Sequence, residues 1–268
     1  MTDQLEPCRL RLDRAKFIID ALNRESLDFF AHVHPHRVFL EPDPERIEDR
    51  IIQMEPPDDL PHHWSLMVGE MLHEIRSSLD NLVWFLAEAK SGTAPWPIPS
   101  GNPWRSVQFP VYETPQRFAD GIQRWRDLVH DDDWTILEQP QPYHGLDPYH
   151  LVQITELSNA DKHRAMHLLT TYHSDLVNPT VRIGECIDAE VVAMEITQNA
   201  GVCRGKTELG RISLRITGPQ PYVQVQEQFG FEVAIDHPAI IEMPVVDMGV
   251  WMSLKARAII DLFASRYP

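Results

Sequence analysis

The spacing of apolar residues changes period once along this chain, near Leu176, and that change limits what the chain can become. Before it, apolar residues recur every three to four positions over long stretches, as on helices with one buried face. After Asn178 they alternate, in "TVRIGECIDAEVVAMEITQ", "TELGRISLRITG" and "PYVQVQEQFGFEVAI", as on strands with one buried face. Gly, Asn and Pro separate these runs and read as turns. The expected fold class is α+β: a bundle of four or five helices, an antiparallel sheet of about four strands, then a C-terminal helix with Asp247 as its N-cap. The bundle is expected over 1–176 and the sheet with its helix over 177–268, as two parts or one continuous domain.

Within the first part, Glu6 to about Val33 reads as a helix on Leu10, Phe17, Ile18, Leu22 and Phe29. Arg37–Glu41 and Arg50–Met54 read as a short hairpin that can join the later sheet, with Pro42 and Pro44 in its connection. His32, His34 and His36 alternate around Pro35 and read as an exposed loop rather than a metal site. The strongest helical stretch is Pro61–Lys90, where Val68, Met71, Leu72, Ile75, Leu79, Leu82, Val83 and Leu86 share one face. "SGTAPWPIPSGNPW" then breaks all regularity. Thr114 caps a helix running to about Val129, with Pro115 in its first turn. A short helix follows over Asp131–Gln139, and a longer one over Pro148–His173.

Composition removes several function classes. The chain has 268 residues, of which 43% are apolar and 24% charged, enough for a substantial core. No apolar run approaches the ~20 residues a membrane span needs, and the N-terminus is too polar for a signal peptide. Cys8, Cys186 and Cys203 form no Cys-x-x-Cys pair, so a reducing cytoplasm is expected. A net charge of -16 opposes binding to duplex DNA. No phosphate-binding glycine loop, Gly-x-Ser-x-Gly elbow or cysteine-nucleophile context occurs, and no cofactor is expected.

"LSNADKHRAMHLL", from Leu157 to Leu169, concentrates ionisable groups between leucines. On a helical wheel Leu151, Ile154, Leu157, Ala165, Leu168, Leu169 and Tyr172 share a face, and Asp161 falls in its middle. A carboxylate there is costly unless a cation or several donors meet it. Arg76, at the edge of the other strong stripe, is one turn from Asp80, with His73 and Ser77 beside it. Pairing of Arg76 and Arg164 with Asp161 and Asp80 is therefore expected where the two helices pack. The candidate catalytic residues are Arg76, Asp161, His163, Arg164 and His167; the candidate binding residues are His73, Asp80, Asn81 and Lys162. Such a network either fixes helix register or lines a pocket with perturbed pKa values. Glu70-x-x-His73 has the spacing of diiron bundles, but no second copy occurs and both residues point away from the apolar stripe. His163 and His167 project from the polar side. No metal is expected, and a metal-dependent bundle enzyme is the weakest alternative.

"LHEIRSSLDNLVWFLA", "FPVYETPQRF" and "LSNADKHR" together resemble a broad group of uncharacterised bacterial proteins over roughly residues 60–170. The first motif is also similar to HEPN domains, helical and often dimeric proteins, many of which cleave RNA through an Arg-(four to six residues)-His motif. Arg76 matches that arginine, while Asn81 stands where the histidine would fall. Asn cannot shuttle a proton as imidazole does. The resemblance implies a HEPN-like protein of RNA metabolism or phage defence with a degenerate RNase site, with RNA, a protein partner or a second copy as partners. The alternative from the residues is a non-catalytic binding or scaffold protein whose Arg–Asp network is structural.

Overall fold

A computed structural model describes every residue except 1–2, 33–36, 47, 57–58, 146–147, 163–165, 174–181, 197–199, 204, 227–229, 239 and 241–242. The described elements run α1 (Glu6–His32), β1 (Arg37–Pro42), β2 (Asp49–Glu55), α2 (His63–Ser91), α3 (Pro115–Ile122), α4 (Asp131–Glu138) and α5 (Pro148–Asp161). They continue β3 (Leu168–His173), β4 (Arg182–Ile187), β5 (Ala189–Ile196), β6 (Ala200–Cys203), β7 (Thr207–Ile216), β8 (Tyr222–Gln226), β9 (Gly230–Ile235) and α6 (Val245–Asp261). The fold is α+β. No described helix is long and apolar enough to cross a membrane.

Two compact units interleave along the chain. One holds residues 1–22, 63–166 and 246–268, the other 23–62 and 167–245. Within the first, α2 carries the core. Val68, Met71, Leu72, Ile75, Leu79, Leu82, Val83 and Leu86 are all fully buried, as their helical spacing requires. The flank facing α1 is charged: Arg11 bonds Glu74 and Arg14 bonds Glu70. Gly249 lets α6 approach closely, since a Cβ there would stand 2.5 Å from the Met71 sulfur. Thr114 accepts from the Arg117 amide at 3.2 Å and Pro115 opens α3. At the chain's end, the buried Asp133 carboxylate accepts from the Tyr267 hydroxyl at 2.7 Å and pairs with Arg266 at 2.8 Å. Burial and that carboxylate push the Tyr267 hydroxyl up to about 12.

In the second unit the early hairpin does join the later sheet. The strand order is β1-β2-β7-β5, all antiparallel, with Ile52, Met54, Leu209, Ile212 and Leu214 buried. A second sheet runs β6-β3-β9 and a two-stranded ribbon pairs β4 with β8. Asp43, almost wholly buried, takes Arg211 at 2.6 Å and two amides of its own loop, which hold its carboxyl below the usual carboxylate range.

Several expectations change. After Asn178 and just before it the described residues hold seven strands, β3 to β9, rather than four. The helix expected to reach His173 ends at Asp161, and Leu168–His173 becomes β3. Thr170, Thr171 and Tyr172 suit a pleated strand, and two ladders, to β6 and β9, outweigh the helical period. On α1 the buried stripe is Cys8, Leu12, Ala15, Ile18, Ile19 and Leu22, with Leu5 buried just before the helix, while Leu10 and Phe17 are 58% and 62% exposed. Ile18 and Leu22 of the expected stripe are buried, but the small Cys8 and Ala15 carry little hydrophobic weight, so spacing alone turns Leu10 and Phe17 inward in their place. The helix expected to reach Val129 stops at Ile122, and the break lets Trp125 pack on Trp134, ring centres 4.7 Å apart. The alternating histidines at 34 and 36 lie outside the described residues.

Gly210 sits where β7 is paired on both sides, opposite Ile52 and Ile196. A Cβ at this position would stand 2.3 Å from the Glu195 carbonyl oxygen. Gly210→Ala is expected to lower the unfolding free energy by about 1–3 kcal/mol through overpacking. Urea denaturation checks this, and unchanged stability would mean that β5 does not lie so close.

Candidate functional site

Residues 109–112, Phe-Pro-Val-Tyr, form no regular element, yet Phe109 and Pro110 are buried. A buried segment without a ladder leaves peptide groups that must find other partners. Side chains supply them. On α2, Asp80 accepts from the Phe109 amide at 2.8 Å, and Arg76 donates Nη2 to the Phe109 carbonyl at 2.8 Å. Gln141, 2% exposed, donates to the Pro110 carbonyl at 2.8 Å and accepts from the Tyr112 amide at 3.1 Å.

Arg76 and Asp80 lie one helical turn apart, the spacing at which side chains meet. The guanidinium forks onto the carboxylate, Nε to Oδ2 at 3.2 Å and Nη2 to Oδ1 at 2.9 Å. Its remaining arm, Nη1, donates to the Thr155 hydroxyl of α5 at 3.1 Å, and Thr155 in turn donates to the Leu151 carbonyl. Arg76 is 8% exposed. Each nitrogen of the guanidinium is therefore engaged within the fold.

Asp161 is not in this network. It ends α5 half-buried against Gly69, whose missing side chain admits it: a Cβ there would lie 2.4 Å from Oδ1. Burial raises its carboxyl above the usual range, and nearby His73 opposes that rise. Of the two carboxylates expected to serve Arg76 and Arg164, Arg76 thus takes Asp80 and not Asp161. The reason is reach. Asp80 meets Arg76 along its own helix, while Asp161 packs at Gly69, two turns toward the N-terminus of α2. His73 is exposed, its Nε2 3.3 Å from the Ser77 hydroxyl. Lys162 is exposed and donates to Asn159 at 3.3 Å. Asn81 is half-buried. His167, 74% exposed, precedes β3 in the other unit with Nδ1 3.5 Å from Asp236. His163 and Arg164 lie outside the described residues, so the expected Arg164 pairing does too.

Of the expected residues, then, Arg76 and Asp80 meet each other, and Asp161 and His73 form a separate, more exposed group. Phe109, Thr155 and Gln141 were missed as members. The signal for Phe109 lay in "FPVYETPQRF", a Pro-containing stretch that cannot ladder at Pro110; nothing in the sequence marks Thr155 or Gln141. Among the described residues no three His, Cys, Asp or Glu side chains gather as a metal site, and Glu70 is engaged with Arg14. No protein-family model matches the chain, and neither a curated protein nor a solved structure matches it.

Removing Arg76 leaves a carboxylate and a buried carbonyl unpaired. Arg76→Ala is expected to cost about 2–4 kcal/mol, less than for a fully buried pair because the Asp80 side chain is 35% exposed. Asp80→Asn keeps an acceptor for the Phe109 amide and is expected to cost less than Asp80→Ala. Denaturant unfolding of the three variants checks the order. Asp161 behaves oppositely. Its folded carboxyl titrates above the ordinary value of 3.8, so the folded state binds the extra proton and stability falls as pH rises from 3.8 through the raised value. Asp161→Asn is therefore expected to melt no lower than the wild type at pH 7, with any gain shrinking as pH falls towards 3.8. A clear loss of stability at pH 7 would show that the carboxylate has a strong partner.

Proposed function

We propose that this chain is a non-catalytic binding or scaffold protein in which the Arg76–Asp80 pair is architectural. One observation carries the reading: Arg76 is 8% exposed and its guanidinium nitrogens are engaged by Asp80, Thr155 and the Phe109 carbonyl. A phosphate-binding arginine needs open donors aimed at solvent, where a scissile phosphate can dock. To reach one, Arg76 would have to abandon a carboxylate fork and leave a buried carbonyl unmet. The second need of an RNA-cleaving site, a group that moves a proton near neutral pH, is not met at Asn81.

The rival reading, a degenerate RNA-cleaving site of HEPN type, makes different predictions from the same two residues. With a labelled single-stranded RNA, neither the wild type nor Asn81→His is expected to cleave, because the arginine stays locked in both. Gain of cleavage in Asn81→His would support the degenerate-nuclease reading and sink this one. Cleavage by the wild type, lost in His163→Ala or His167→Ala, would do the same by revealing a replacement base. Any RNA retained is expected to be released by moderate salt, given the net charge of -16.

A further inference from the structure

Helices α1 and α6 pack antiparallel: as α6 advances, its partners on α1 run backwards. A Cβ on Gly249 would stand 3.0 Å from the Ile19 side chain, so the two helices meet closely there. Farther along α6, Arg257 pairs with Asp13 at 2.7 Å and Asp261 with Arg9 at 2.8 Å. Between the Gly249 contact and the Arg257 pair lie about two turns of α6, roughly 12 Å of helix. The small Ser253 stands midway, and the space opposite it is not filled. A cavity of about 160 Å³ lies there, lined by Leu12 and Ile19 of α1 and by Val250, Ser253 and Leu254 of α6. Side chains in a protein interior ordinarily close a space of this size.

Three properties of the wall say what fits it. The first is a hydroxyl. The Ser253 Oγ is buried and has no hydrogen-bond partner among the described residues. A helical serine can turn its hydroxyl back to the carbonyl four residues earlier, and this one does not. A buried polar atom left unmet costs stability, so a partner from outside the chain would be rewarded. The second is charge. Lys16 and Arg257 also line the cavity, but Lys16 is paired with Asp20 and Arg257 with Asp13. The rim therefore holds no open cation for a carboxylate or phosphate. The third is size. A cavity of about 150 Å³ walled by apolar side chains takes up benzene. Val250 and Leu254 are 41% and 55% exposed, which gives a ligand a way in.

We infer that the cavity between α1 and α6 binds a neutral molecule the size of one aromatic ring that carries a single hydrogen-bonding oxygen, phenol being the simplest of the class. The ring covers Leu12 and Ile19, which removes apolar surface from water. The oxygen meets the Ser253 hydroxyl, which can donate or accept. The inference does not rest on the Arg76 reading, because neither α1 nor α6 contributes a residue to that network.

The test is an NMR shift titration of the full chain at neutral pH with phenol, benzene and benzoate, and thermal melts confirm that each variant folds. The wild type is expected to bind phenol saturably, with a Kd of about 1 mM or tighter. Benzoate is expected not to bind. Ser253→Ala keeps the space and removes the hydroxyl, so it is expected to weaken phenol about fivefold and to leave benzene no weaker. Ser253→Leu fills the cavity and is expected to abolish binding of both. Ser253→Ala introduces no clash and decides the matter even where Ser253→Leu overpacks and melts early. A wild type with no saturable phenol shift overturns the inference. So does benzoate binding as tightly as phenol, phenol binding that Ser253→Ala leaves unchanged, or phenol binding retained by a folded Ser253→Leu.

Discussion

Four residues of backbone, Phe109 to Tyr112, cross the first unit without a strand to pair with, and the arginine–carboxylate fork on α2 meets that need. Asp80 takes the Phe109 amide, Arg76 takes its carbonyl, and Gln141 repeats the same service for Pro110 and Tyr112. Ion pairs in protein interiors often recover no more than their own desolvation. This one is spent on peptide groups that would otherwise go unmet, so its value lies in what it allows the backbone to do. The same arginine reaches α5 through Thr155, and Gln141 also bonds the Leu137 carbonyl of α4. One segment thus gathers three helices.

Helix α2 serves as the axis on which these demands are sorted. Its fully apolar face supplies the core, its far flank pairs with α1, and its polar residues divide into two groups. Arg76 and Asp80 are held inward with bonds in definite directions. Gly69, His73 and Ser77 form a looser stripe against which Asp161 rests, half-buried and with its carboxyl pushed upward. The difference is one of satisfaction. Groups with their hydrogen bonds complete stabilise a fold and have nothing left for a ligand, whereas a desolvated carboxylate beside an exposed imidazole keeps its capacity.

Much of this was readable from residue spacing. The buried stripe of α2 matched its sequence period residue for residue, because eight large aliphatic positions on one face leave no competing phase. The early hairpin was readable too, with its membership in the later sheet. On α1 spacing misled, since Cys8 and Ala15 mark the buried face with small side chains while Phe17 lies outside under the Arg14 guanidinium, 5.3 Å from its ring centre. In the candidate site, the sequence indicated that Arg76 needed a carboxylate and that Asp161 was unusual. It could not choose between Asp80 and Asp161 as the partner.

The sequence by itself determined the α+β class, the inward face of α2, the capped start of α3 and a strongly acidic net charge, because these follow from local periodicity, local hydrogen bonds and summed charge. Tertiary structure decided where α5 stops and β3 begins, since six residues with two ladders waiting gain more as a strand than as another turn and a half of helix. It decided that Arg76 faces Phe109 and Thr155, residues 33 and 79 positions away. No local pattern encodes a contact at that separation. It exists only because the packed helices bring one unpaired stretch of backbone within reach of a guanidinium.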